Sequence, residues 1–65
     1  MSFAENLVRV RGERGMNQKE LYIASGITPP QLSRYEKGVI EPGIPTLHIL
    51  TRSLRCSYND LLEEK

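Results

Sequence analysis

Apolar residues recur along this chain at helical spacing in short blocks, each opened by a polar cap and most closed by a glycine. Phe3, Leu7 and Val10 stand at i, i+4 and i+7, after Ser2 with Glu5 three residues on, and before Arg14 and Gly15. That spacing predicts a first helix with a capping box, in which a hydroxyl and a carboxylate satisfy backbone N–H groups reciprocally. Asn17 with Glu20 repeats the signature; Leu21 and Ala24 supply apolar positions before Gly26 ends the segment. This reads as a second helix of about two turns. Thr28 caps a third, headed by Pro29 and Pro30 and ending at Gly38. "PGIPT" introduces a fourth through Leu47, Leu50 and Leu54, and Ser57 with Asp60 opens a short fifth carrying Leu61 and Leu62. No stretch alternates convincingly as a strand, and the loops are short. The pattern predicts an all-α, compact five-helix domain.

With 65 residues there is room for one domain, spanning 1–65, near the lower limit at which an apolar core holds a fold unaided. One cysteine and one histidine cannot supply a structural zinc site, and a lone cysteine forms no internal disulfide, so apolar packing has to stabilise the chain. Neither a cofactor nor a metal is expected. Cys56 reads as a small core position, and His48, without a ligand partner at suitable spacing, as a surface or boundary residue. The N-terminus lacks a signal-peptide pattern, and no run approaches the roughly 20 apolar residues of a membrane span. A cytoplasmic protein is expected, with no membrane partner. Residues 1–38 carry six basic and four acidic side chains, residues 39–65 three and four, so the first part leans toward a polyanion. No phosphate-cradling glycine loop, nucleophile triad or paired carboxylate stands out beyond Glu63 and Glu64 near the end, so no enzyme is expected.

The most informative interval runs from Gln18 to Lys37: two short helices separated by Ser25, Gly26 and Ile27. A glycine there admits a left-handed backbone and a steep crossing of the helices, as a helix-turn-helix requires. "RGERGMNQKELYIASGITPPQLSRYEKG" resembles the Xre/Cro type of phage and bacterial repressors, and the likeness continues through "EPGIPTLHILTRSLRCSYNDLL". The resemblance implies operator DNA as partner, bound by a homodimer with the third helix in the major groove. It implies that Gln18 reaches a phosphate and the outermost base, that Thr28, Pro29 and Pro30 stand at the reading tip, and that Arg34 follows one turn later. It also implies a largely buried structural ion pair between Arg11 and Glu36. Tyr22 stands where relatives carry alanine at the crossing of helices two and three, and the "VIEPG" loop has Glu41 where relatives often have phosphate-holding cations.

The residues themselves support this placement. On a wheel of about 100° per residue, Leu32 and Tyr35 define a buried side with Glu36 on its flank, while Pro30, Arg34 and Lys37 face away. Arg34 offers a fork suited to guanine and Lys37 an ammonium suited to phosphate, with Gln31 and Ser33 at the edges. Asn17 and Lys19 join them at the start of helix two; Lys19 and Lys37 are read either as phosphate contacts or as solvated, dipole-complementing charges.

Proline is tolerated in the first helical turn because those N–H groups have no helical partner. The Thr28 hydroxyl is then expected to cap through the N–H of Gln31, the one donor left in that turn. Two rigid rings replace the usual polar readers. They read either as a helix start signal or as surfaces favouring thymine methyl groups, leaving polar base reading mainly to Arg34.

The expectation is a sequence-specific regulator, repressor or controller, prokaryotic or phage-encoded, acting at a palindromic operator by excluding or contacting RNA polymerase. It is expected to respond to concentration through dimerisation, without a sensor domain or small-molecule ligand. Ile49, Val39 and Ile40, or the C-terminal helix, are candidate dimer surfaces; Ile49 packing on the fifth helix is the alternative. The rival class is an interaction module, antirepressor or antitoxin-like, that keeps the fold without the DNA surface.

Overall fold

The computed structural model describes residues 2–63. It contains α1 (Phe3–Glu13), α2 (Gln18–Ser25), α3 (Pro29–Lys37), α4 (Ile44–Leu54) and α5 (Tyr58–Leu62), with no strand among the described residues. Capping boxes form as the sequence predicts at α1 (Ser2, Glu5), α2 (Asn17, Glu20) and α5 (Ser57, Asp60). The remaining two helices begin with proline in the first turn and have no side-chain cap.

α1 packs against α3 and α5, α2 against α3 and α4, and α4 against α5. Every helix contributes at least one wholly buried leucine: Leu7, Leu21, Leu32, Leu50 with Leu54, and Leu61. Val10, Phe3, Tyr35 and Leu47 complete this core, and the Phe3 and Tyr35 rings meet edge to face at 6.4 Å. Met16, Ile27 and Cys56 pack against it half-buried, which places the cysteine in the role expected of it. Burial also pushes the Cys56 thiol above its ordinary pKa, against ionisation. His48 lies on the surface, stacked on Tyr58 with Nδ1 3.0 Å from the phenol oxygen.

Three apolar expectations change. Ile40, read as part of an exposed loop, packs half-buried against the core, because the chain folds back between α3 and α4. Ala24 and Leu62, read as apolar helix positions, are exposed. Leu21, three residues before Ala24, and Leu61, next to Leu62, take the buried places, and short helices have only one buried stripe.

Asn6 is the buried polar residue that periodicity missed. Its Nδ2 donates to the carbonyls of Leu61 and Glu63, each at 2.9 Å. Arg9 Nη2 donates to the Asp60 carbonyl at 3.0 Å, so two side chains of α1 hold the C-terminal end of α5. Arg14 does the same for α4, donating to the carbonyls of Leu54 and Arg55 at 2.8 and 3.1 Å. Helix ends expose orphan carbonyls, and these contacts satisfy several of them.

Candidate nucleic-acid interface

The turn that aims α3 is built from three residues. The backbone N–H of Ile27 donates to Ser25 Oγ at 3.1 Å. Gly26 adopts φ 77° and ψ 2°, and its N–H closes α2 on the Tyr22 carbonyl at 2.8 Å. A side chain at that φ would be strained, which is why glycine stands there. Ile27 then turns inward against the core and seats the head of α3. Tyr22, where relatives carry alanine, is exposed, and α2 packs against α3 with the tyrosine in place.

The Thr28 hydroxyl makes no capping bond, contrary to expectation. Thr28 acts as N-cap through its backbone alone, at φ −63° and ψ 150°, with its carbonyl accepting from Leu32 N at 3.0 Å. Pro30 at the second helical position removes one of the two donors such a hydroxyl ordinarily serves, and the hydroxyl does not take up the other, the N–H of Gln31. Thr28, Pro29 and Pro30 are all exposed.

Along α3, Leu32 and Tyr35 are buried, Arg34 and Lys37 are exposed, and Gln31 and Ser33 are half-buried at the edges. Gln31 links the two sides. Its Nε2 donates to the Tyr35 hydroxyl at 3.1 Å, and its Oε1 accepts from Arg34 Nη1 at 3.4 Å.

The α2 end of the surface is tied to α3 through Glu36. Arg11 Nε and Nη2 donate to the two Glu36 oxygens at 2.6 and 3.2 Å, a bidentate pair whose side chains are 19% and 10% exposed. Gln18 Nε2 adds a bond to Glu36 Oε1 at 3.2 Å, and Arg11 Nη1 donates to the Met16 carbonyl at 3.0 Å. One carboxylate thus fixes α1, the start of α2 and the end of α3 together, with the geometry that makes arginine–carboxylate pairs directional. Asn17 is occupied as the cap of α2, and Lys19 beside it is exposed.

These contacts sort the basic residues. Arg9, Arg11 and Arg14 are spent on holding the fold together. Lys19, Arg34 and Lys37 are exposed and make no ion pair among the described residues, while the nearby Glu36 and Glu20 carboxylates serve Arg11 and the α2 cap. These three are the cations that α3 and the head of α2 leave exposed. A groove of about 330 Å³ lined by Arg14, Met16, Ala24, Ser53, Leu54 and Arg55 includes none of them. No helix among the described residues is long and apolar enough to cross a membrane.

Residues 7–61 match the helix-turn-helix family. The HTH-type transcriptional regulator DdrOP3 of Deinococcus deserti is 36% identical over 63 residues, covering 97% of this chain and 49% of that protein, so the chain spans about half its length. The uncharacterized HTH-type transcriptional regulator y4dJ of Sinorhizobium fredii is 35% identical over 57 residues, covering 88% of this chain and 74% of that one. Among solved structures, the P22 c2 repressor in complex with a synthetic operator superposes with a TM-score of 0.88 at 25% identity, covering 100% of this chain and 98% of that one. With the turn at Gly26, the five-helix order and the match over residues 7–61, the chain belongs to the helix-turn-helix family, of the Xre/Cro type.

Proposed function

We propose that this chain is a sequence-specific double-stranded DNA-binding transcriptional regulator, a repressor or controller rather than an enzyme, acting in the cytoplasm as a homodimer at a palindromic operator. The observation that carries the reading is the solvent-facing side of α3, where Arg34 and Lys37 have no carboxylate partner among the described residues while the opposite side is locked to α1 through Glu36. The likeness to a repressor bound to a synthetic operator supports it.

In this mechanism α3 enters the major groove. Arg34 donates in a fork to guanine O6 and N7, with Gln31 setting its direction. Lys37 and Lys19 neutralise phosphates, Ser33 reaches the groove edge, and Asn17 and Gln18 bring the head of α2 to the backbone. Glu36 steadies Gln18 without competing for Arg34. A dimer is invoked because one small domain spans few base pairs, and two half-sites about 34 Å apart match a two-fold axis. Exposed apolar side chains on α4 and α5 (Ile44, Ile49 and Leu62), with Val39 ahead of them, are the surface available to a second copy. Occupying the operator would exclude polymerase.

A second reading is favoured by exposed Tyr22 and Ile23 on α2 and by Glu41 in the loop before α4: an interaction module of antirepressor or antitoxin type. Arg34→Ala separates the two. Under the first, operator affinity measured by fluorescence anisotropy falls about 5- to 150-fold, the worth of one bidentate base contact, with the circular dichroism spectrum unchanged. Unchanged affinity for DNA would contradict it.

A further inference from the structure

We propose that the tip of α3 reads the C5 methyl group of a pyrimidine rather than the base carrying it, so that 5-methylcytosine replaces thymine there and cytosine methylation strengthens binding. This rests on the DNA-binding reading above and deepens it.

The tip offers little that could tell one base from another by hydrogen bonding. Pro29 and Pro30 occupy the first two helical positions, both exposed, and neither has an N–H. The Thr28 hydroxyl is not engaged in capping; a hydroxyl both donates and accepts, so it suits an amino group and a carbonyl equally. Gln31, the next polar side chain, is held by the Tyr35 hydroxyl on one side and by Arg34 on the other. Arg34 itself lies four residues beyond Pro30, about 6 Å further along the helix, over a different base pair.

Two apolar rings are left at the tip. In the major groove the apolar feature of a base edge is the C5 methyl of thymine. 5-Methylcytosine presents the same group at the same place, and the two bases differ at position 4, where thymine has a carbonyl and cytosine an amino group. A proline ring cannot sense that difference. Its fixed backbone angle also means that little freedom is lost on contact.

The test uses the full chain and an operator recovered by selection from random duplexes. At each pyrimidine facing the tip, four duplexes carry thymine, uracil, cytosine or 5-methylcytosine, and affinities are read by fluorescence anisotropy. Thymine and 5-methylcytosine are expected to bind within about twofold of each other, with uracil and cytosine weaker by about fourfold for each methyl lost. Pro29→Ser with Pro30→Ser should flatten the series, whereas Arg34→Ala lowers all four affinities alike. Uracil binding as well as thymine, or 5-methylcytosine binding no better than cytosine, overturns the proposal while leaving the DNA-binding reading intact. No duplex enriched in the selection overturns both. The four wild-type affinities decide the matter even if the proline variants fail to fold.

Discussion

Glu36 and Asn6 do, at the scale of single residues, what periodicity alone does not reveal. Glu36 lies on the flank of the Leu32 and Tyr35 stripe, and its bonds to Arg11 and Gln18 set α3 against its neighbours. That pairing was legible only through family likeness, since nothing in the spacing links residue 11 to residue 36. Asn6 has a signal that can be recognised afterwards: it sits between Phe3, Leu7 and Val10 on the buried stripe of α1, where an asparagine must find partners. Those partners are carbonyls 55 and 57 residues away, which no local pattern encodes. Asn6→Ala removes the donor to the carbonyls of Leu61 and of Glu63, the C-cap of α5, and is expected to lower unfolding free energy by about 1–3 kcal/mol. A urea titration checks this through a lower midpoint at unchanged slope. A change below about 0.5 kcal/mol would place the bonds in the surface class.

At the scale of elements, boundaries were legible because caps are local chemistry. A Ser or Asn followed three residues on by Glu or Asp opens three of the five helices, and the box bonds form in each. The proline-headed α3 and α4 were legible as helices but not in detail, since the Thr28 hydroxyl stays out of the cap. The boxes also carry a pH dependence. Glu5 and Asp60 accept backbone N–H groups from Ser2 and Ser57, and these bonds hold both carboxyls below their ordinary pKa. A lowered folded-state pKa contributes stability that is complete at neutral pH and is lost as pH falls through the lowered value. Melting temperature is therefore expected to be flat from neutral pH to about pH 5 and to fall below about pH 4. The combined Glu5→Gln and Asp60→Asn variant should show a shallower acid limb; an identical limb would remove the boxes from the account.

At the scale of the molecule, the charge lean of residues 1–38 overstated the surface available for DNA. Half of its six basic side chains stitch helices together, leaving Lys19, Arg34 and Lys37 for a polyanion. Sequence alone could not divide them, because a charge on a helix does not announce which carbonyl or carboxylate the fold brings beside it. About three phosphates per protomer, or six per dimer, correspond to a slope near −5 in a plot of log affinity against log salt. A slope near −2 would mean a much smaller electrostatic footprint than the exposed cations imply. The central claim, that α3 reads base sequence through Arg34, is tested most directly by selection from random duplex DNA with the wild-type chain and with Arg34→Ala. The expected result is an enriched palindrome, its half-sites one helical turn apart, with a guanine in each half that the variant no longer selects. Recovery of no preferred sequence, or of the same guanine by both proteins, would contradict it.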